Sequence, residues 1–484
     1  MELDPSICYA ALRARDPRFD GVFFVGVRTT GVYCRPICPA RLPRSDRCEF
    51  FSVAALAEQA GYRACFRCRP ELAPGNAVVD ARSRLASAAL RQIDAGVLNQ
   101  GSLELLGQSL GVTSRHLRRV VEGELGVPLI AIAQTRRLAL AKQLLQDTRL
   151  PVTEVAFASG FKSVRRFNAA FHDRFARSPS SLRRASSKGQ GEEGVCLRLD
   201  FRPPLDWEHL LRFLAGRAIV GVEHVDLQRG EYHRTVRLGA QQGWVAVSLL
   251  PGRHALRARI SGSLVPRLME VTSRLRALFD LDARPDVVRA HLEADPMLRP
   301  LLEQRPGLRV PGAFEGFELA IRAVLGQQVS VRAATTLCGR LVRRFGEEAA
   351  DAPQPLHTHF PSAARLASAS VQEIRELGLP ETRAQTILAL SRAIHDGRVD
   401  LGAGADPEVV VSALQELPGI GPWTAHYLAL RALRWPSAFP AGDLILQRRM
   451  GVSSARAAEA RAQSWHPWRA YAVLHLWQSE PLAA

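Results

Sequence analysis

Leu417-Pro418-Gly419-Ile420-Gly421-Pro422-Trp423-Thr424-Ala425 reads as the end of one helix, a tight glycine hairpin and the start of a second helix. Exposed backbone N–H groups at such a helix start can grip a phosphate without using a side-chain charge. Gly419, Gly421 and Thr424 are therefore candidate DNA contacts, although glycines at this spacing also make inert turns. Further on, Phe439-Pro440-Ala441-Gly442-Asp443-Leu444 places an acid just ahead of another helix. Asp443 is either a helix cap or a working carboxylate.

The totals around this hairpin are those of a soluble globular protein. The chain has 484 residues, 47% of them apolar and 23% charged, and a length prior of about 150 residues per domain suggests roughly three units. No apolar run is long enough to span a bilayer, and the first residues carry acids and arginines instead of a signal-peptide core. The expected setting is the bacterial cytoplasm, next to the nucleoid, with no membrane partner. The formal charge is +17, divided as +2 over residues 1–80, +11 over 81–190 and +4 over 191–484. A basic surface attracts polyphosphate and releases its counterions on binding, so the middle segment is the electrostatic handle.

Cysteine is crowded at the front: Cys8, Cys34, Cys38, Cys48, Cys65 and Cys68 precede all the rest, and only Cys196 and Cys338 follow. In a reducing compartment such crowding favours a metal site over disulfides. Cys34 and Cys38 form one short chelating pair, Cys65 and Cys68 another, with 26 residues between the pairs. Four thiolates suit one tetrahedral Zn²⁺, and most such sites only hold a fold. Cys8 and Cys48 match no ligand position and read as small hydrophobes.

In the middle, Leu103, Leu106 and Leu110 lead to Gly111-Val112 and to a helix opened by Ser114 that carries Arg115, His116, Arg118 and Arg119. The same grammar recurs about fifty residues on. There Val152, Val155 and Ala156 lead to Gly160-Phe161, and Ser163 opens a helix with Arg165, Arg166, Phe167, Asn168 and Phe171. Two such turns suggest a pair of helix-turn-helix units; a charged helical bundle facing solvent is the plain alternative.

Ala185 to Gly194 is small, polar and glycine-rich, the composition of a linker. Beyond it, apolar residues alternate at Val195, Leu197, Leu199 and Phe201, at Val245, Val247 and Leu249, and at Leu256, Ala258 and Ile260. That period of two predicts a small antiparallel sheet, and helical periodicity returns from about Pro266. The expected fold is multidomain, mainly α with α+β parts. Its segments are a small zinc-stapled α/β domain at 1–78, an all-α double helix-turn-helix domain at 81–185, a linker at 186–194, a small antiparallel sheet domain at 195–268, and an all-α helix-hairpin-helix body at 269–484.

Three resemblances sharpen this. Arg28-Thr29-Thr30-Gly31-Val32-Tyr33-Cys34-Arg35-Pro36-Ile37-Cys38-Pro39-Ala40-Arg41, with Cys65-Phe66-Arg67-Cys68-Arg69-Pro70, closely resembles the amino-terminal domain of the adaptive-response (Ada) family. Residues 151–179 resemble the second half of an AraC-type regulator domain. Residues 195–480 resemble the AlkA family of alkylation glycosylases, notably in Phe201-Arg202-Pro203-Pro204-Leu205-Asp206-Trp207, in Phe317 to Ser330, and in Trp468 to Trp477.

The first resemblance implies that Cys34 takes a methyl group from a methylated DNA phosphate, once per molecule, while Cys38, Cys65 and Cys68 complete a zinc shell. Arg35 and Arg67 would then draw in the backbone. Methylation would reduce the charge of the zinc–thiolate group from about −2 to about −1, and DNA binding should tighten. The second resemblance implies promoter reading by the helices that carry Arg115, Arg118, Arg165 and Arg166.

The third resemblance implies that Asp443 is essential to base excision. Trp423, Tyr427 and Trp477, with Phe213 as a weaker fourth, would line the pocket of the flipped base. Electron-rich faces attract a cationic base, while each aromatic taken alone is more often core. A leucine of the family that fills the gap left by the flipped base is Gln328 here, which puts the range of excised bases in doubt. No lysine follows Gly189, and Trp423 stands where strand-cleaving relatives carry one, so lysine Schiff-base chemistry is excluded. No iron–sulfur cysteines follow Cys338. The expectation is a monomeric protein acting on damaged and promoter double-stranded DNA, with one Zn²⁺ and a cofactor-free glycosylase. The Pro-Cys-His-Arg acceptor of the full adaptive-response protein is missing. A DNA-binding regulator with structural zinc and a retired glycosylase fold is the rival, and a scaffold tethering the enzyme is a third reading.

Overall fold

Asp4 opens the first helix, Pro5–Ala14, by accepting from the backbone N–H groups of Ser6 and Ile7, which a helix start otherwise leaves without partners. The computed structural model describes residues 3–75, 77, 83–183 and 194–479. The expected linker at 186–194 lies outside them except for Gly194, as do the expected domain edges at residues 78, 81 and 185. The chain divides into two units. One comprises Met1–Pro203, Leu250–Arg276 and Leu281–Arg284; the other comprises Pro204–Leu249, Ala277–Asp280 and Pro285–Ala484.

In the first unit, a four-stranded sheet runs in the order Cys48–Phe51, Phe24–Val27, Val32–Cys34, Arg63–Ala64. Val25 pairs with Cys34 in an antiparallel ladder and Tyr33 pairs with Ala64 in a parallel one. That register carries the first cysteine pair and the second to the same end of the sheet. Strands this short bury little, and the cysteines make up part of the core: Leu12, Val25, Cys34, Cys38 and Cys68 form one buried cluster. Cys8 packs apart with Ala11 and Phe23, and burial pushes its thiol up to about 11, as expected of an inert hydrophobe.

The helices that follow include Leu103–Ser109, Ser114–Leu125, Leu129–Asp147, Val152–Ala158 and Val164–Phe175. Ser163 caps the last of these through Arg166 N, as anticipated; the earlier helix is capped by Thr113, so Ser114 is its first residue instead of its cap. Each of the two basic helices buries one narrow stripe, Leu117 and Val121 in one, Phe167, Phe171 and Phe175 in the other. Gly160 takes a φ of +86° in the second turn, and a Cβ there would lie 2.2 Å from Asn99 Cγ. The unit also holds the antiparallel ladder of Val195–Asp200 with Ala255–Ile260, whose inward residues follow the expected alternation.

The second unit begins with helix Trp207–Ala215 and a meander of Glu223–Asp226, Glu231–Leu238 and Gln241–Leu249. Here the alternating reading needs correction. Gly243 to Val247 are buried consecutively, and Leu249 is 41% exposed. Strand Glu231–Leu238 escaped an apolar reading because Arg234 points inward. Its guanidinium donates to Glu318 Oε2 at 2.7 Å, and Arg322 joins Glu318 Oε1 at 2.6 Å and also Glu223. Charges this deep persist only when paired. The rest of the unit is mostly helical, with Gly316–Leu325, Val331–Phe345, Glu381–His395, Pro407–Gln415, Pro422–Arg431, Leu444–Met450 and Arg469–Gln478 among its elements; the expected all-α body is corrected by a short antiparallel ladder of Glu347–Glu348 with Thr358–His359. No helix among the described residues is long and apolar enough to cross a membrane.

Candidate functional site

The Sγ atoms of Cys34, Cys38, Cys65 and Cys68 all lie within 4.8 Å of one another. Tetrahedral thiolates at a zinc–sulfur distance of about 2.3 Å stand about 3.8 Å apart, so this donor set fits one ion. All four are free of disulfides. The backbone N–H of Arg35 donates to Cys68 Sγ at 3.4 Å and that of Arg67 to Cys65 Sγ at 3.3 Å, bonds that stabilise sulfur carrying negative charge. Hydrogen bonding among the sulfurs themselves pushes the Cys34 thiol up and pulls Cys65 down. Four groups this close cannot all ionise without a cation among them. Cys34 and Cys68 are 8% exposed and Cys65 is half-buried.

Arg35 is not at the surface, where a phosphate contact would need it. It is 2% exposed, with Nε donating to Asp20 Oδ1 at 2.8 Å, Nη2 to Asp20 Oδ2 and, at 2.8 Å, to Asp200 Oδ2, and Nη1 to the Cys68 carbonyl. Burial opposes its charge, but the two aspartates more than offset that and push the guanidinium up. Arg35 thus braces the cysteine loop from within. Arg67 is exposed, as are Arg115, Arg118, Arg165 and Arg166 on their helices. Lys142, which the sequence reading passed over, is 1% exposed and ties the Cys65 carbonyl (3.1 Å) and Glu71 (2.7 Å) to helix Leu129–Asp147.

In the second unit, helix Pro422–Arg431 carries Trp423 and Tyr427 one turn apart. Their rings stack with centroids 5.3 Å apart and planes 8° apart, and Trp477 leans on Tyr427 at 6.3 Å. Trp423 Nε1 donates to Asp443 Oδ2 at 2.8 Å. The other oxygen, Oδ1, accepts from Leu446 N at 2.9 Å and caps helix Leu444–Met450. One oxygen of Asp443 therefore caps a helix while the other meets the aromatic pair. Asp443 is half-buried. Phe213 is buried and reaches the trio through Arg431, whose Cζ lies 4.9 Å from its ring centre and 5.6 Å from that of Tyr427.

The hairpin is held from one side by a residue not singled out in the sequence. Gln327 Nε2 donates to the Gly419 carbonyl at 2.9 Å and to Thr424 Oγ1 at 3.2 Å. Thr424 is 3% exposed, so its side chain is spent inside the hairpin. Gly419 and Gly421 are exposed. Gln328 is exposed and holds a φ of +57°, a conformation that costs a non-glycine residue about 1–2 kcal/mol.

Gly419 has a φ of +79°, and a Cβ there would lie 2.1 Å from Thr386 Oγ1. Gly419→Ala is expected to destabilise the protein by about 2–3 kcal/mol, from left-handed strain plus the clash. Gly421 has open space around it, and Gly421→Ala should stay within about 0.5 kcal/mol. Urea unfolding of both variants checks the contrast, and equal losses would contradict it.

Comparison with known families agrees with this division of labour. The metal binding domain of Ada matches residues 7–71, and a helix-turn-helix domain matches 106–185. The AlkA N-terminal domain matches 196–315, and the HhH-GPD superfamily of base excision DNA repair proteins matches 321–469. The probable bifunctional transcriptional activator/DNA repair enzyme AlkA of Mycobacterium tuberculosis is 40% identical over 479 residues, 97% of this chain and 95% of that protein. DNA-3-methyladenine glycosylase 2 of Escherichia coli is 36% identical over 282 residues, 58% of this chain and 96% of that one. The bifunctional transcriptional activator/DNA repair enzyme Ada of Escherichia coli is 33% identical over 148 residues, 30% of this chain and 40% of that one. A four-sulfur cluster at the front, two basic helices behind it and an aspartate beside stacked aromatics at the back follow the same order, and the chain belongs to the family of bifunctional transcriptional activator/DNA repair enzymes that join Ada-type and AlkA-type domains.

Proposed function

We propose that the protein excises alkylated bases such as 3-methyladenine by hydrolysis, with Asp443 as the catalytic carboxylate, and that its front accepts methyl groups from DNA methylphosphotriesters on Cys34. The observation that carries the first half is the 2.8 Å bond from Trp423 Nε1 to Asp443 Oδ2, which holds a carboxylate against a stacked aromatic pair. A base rotated out of the helix stacks on Trp423 and Tyr427. As the bond from C1′ to the base nitrogen breaks, both electrons leave with the base and positive charge grows on the sugar. The Asp443 carboxylate stabilises that charge and orients the water that adds to C1′, its proton passing to the carboxylate or to solvent. The exposed Gly419 and Gly421 turn presents the first N–H groups of helix Pro422–Arg431 to a backbone phosphate. Gln328, projecting in its left-handed conformation, fills the space the base vacates.

At the front, a bound Zn²⁺ would keep the four sulfurs deprotonated near neutral pH. The Cys34 sulfur attacks the methyl carbon, the methyl–oxygen bond breaks, and the phosphodiester leaves with the electron pair. The thioether has no route back, so one methyl is taken per molecule. The exposed arginines at positions 115, 118, 165 and 166 read a promoter, and the methylated front binds DNA more tightly. We read residues 1–78, 81–185, 195–268 and 269–484 as the functional segments, joined by the linker at 186–194, and the working form as a monomer.

Exposure of the full chain to DNA carrying methylphosphotriesters, followed by mass spectrometry of the intact protein and its peptides, is expected to place one methyl on Cys34 and none on Cys34→Ser protein. Cys65 is the more open sulfur, so a methyl found there instead would overturn the assignment of Cys34. A regulator with a retired pocket would need Asp443 only as a cap, and would release no base from methylated DNA.

A further inference from the structure

We propose that Gln327 is a positioning residue that locks the wedge residue Gln328 to the hairpin that grips phosphate, with Arg383 as the second anchor of the same lock. The inference deepens the excision reading above and rests on it. Gln327 follows the end of helix Gly316–Leu325, where its backbone N–H donates to the Val324 carbonyl at 3.3 Å. Its side-chain Nε2 reaches across 92 residues of sequence to the Gly419 carbonyl at 2.9 Å, and it also donates to Thr424 Oγ1 at 3.2 Å. Its own carbonyl accepts from Arg383 Nη2 at 2.8 Å. The chain entering Gln328 is therefore fixed on three sides, by a helix end, by the hairpin and by helix Glu381–His395.

Helix Glu381–His395 closes the frame. Arg383 and Thr386 lie three residues apart on it and so share a face. Arg383 holds the wedge turn, while Thr386 backs the hairpin, where a Cβ added to Gly419 would come within 2.1 Å of its Oγ1. On the far side of Gln328, Ser330 caps helix Val331–Phe345 by accepting from Ala333 N at 3.2 Å.

Two features argue that this frame serves more than packing. Arg383 is the third residue of its helix, where a cation opposes the helix dipole, so helix stability does not account for it. Gln328 is exposed and keeps a left-handed φ of +57°, and such strain lasts only where the surroundings over-determine it. An exposed side chain on a braced, strained backbone suits a group that must enter DNA at a set distance from a gripped phosphate. A misplacement of about 1 Å can slow a reaction about a hundredfold, and a loose wedge would have to be ordered anew at each insertion.

A double-mutant cycle on the full chain tests this, read by single-turnover release of methylated adenine from methylated duplex DNA. Gln328→Ala and Gln327→Ala are each expected to slow release by about tenfold. Affinity for undamaged duplex, measured by filter binding, should stay within about twofold of the parent. Because Gln327 acts through Gln328, the double variant should be no more than about twofold slower than either single one. Gln327→Glu is close in size but lacks the donor to Gly419, and should slow release as Gln327→Ala does. Arg383→Lys keeps a donor for the Gln327 carbonyl and should retain most of the parent rate, whereas Arg383→Ala should match Gln327→Ala. Losses that multiply in the double variant, to about a hundredfold, would show Gln327 acting apart from the wedge and overturn the proposal. So would release at the parent rate by Gln327→Glu or by Gln328→Ala, or a loss of duplex affinity that accounts for the slower release. Undiminished release by Asp443→Asn would instead sink the excision reading on which the proposal rests.

Discussion

Asp443→Asn is expected to slow release of methylated adenine from duplex DNA by about a thousandfold, equivalent to about 4 kcal/mol of transition-state stabilisation, while leaving DNA affinity nearly unchanged. Asparagine caps a helix about as well as aspartate, so the bond to Leu446 N can persist. The amide loses the negative charge that the proposed reaction needs. It also turns a donor toward Trp423 Nε1 if its oxygen stays on Leu446, replacing the present 2.8 Å bond with two opposed donors, at a cost of about 1–3 kcal/mol in local stability. Single-turnover release and filter binding on the same duplex separate these effects. Release at the parent rate would assign catalysis to another group.

Stripping the metal from the front should have the largest effect on stability. The four strands there are two to four residues long, and three of the cysteines belong to the buried cluster itself. A structural zinc contributes on the order of 10–16 kcal/mol of apparent binding energy, comparable to the whole stability of a typical domain, about 5–15 kcal/mol. A strong chelator, or Cys38→Ala, is therefore expected to make residues 3–75 of the full chain rapidly cleavable by protease, while base release dependent on Asp443 continues. Unchanged proteolysis at the front after metal loss would show that the strands and the Arg35 ion pairs hold it without an ion.

Much of both sites was legible because short-range rules write themselves locally. The glycine hairpin, the cap at Ser163, the two cysteine pairs and the acid ahead of helix Leu444–Met450 all depend on neighbours within a few residues. The Thr113 cap was missed by one position because threonine and serine are adjacent and both are good caps. The strand Glu231–Leu238 was hidden because buried Arg234 breaks the apolar alternation.

Motif resemblance and local pattern by themselves determined the family, the two cysteine pairs that lie together, and the two basic helices. Tertiary structure alone decided which charged groups stay exposed and which face inward. Arg35 stands beside Cys34 in a basic motif, yet its guanidinium is bound to Asp20 and, across 165 residues, to Asp200. Thr424 is claimed by Gln327, and the Tyr427 hydroxyl by Arg431. The physical reason is that the fate of a charge depends on whether an opposite charge or an acceptor waits within a few ångströms, and chain folding supplies that neighbour from anywhere in the sequence.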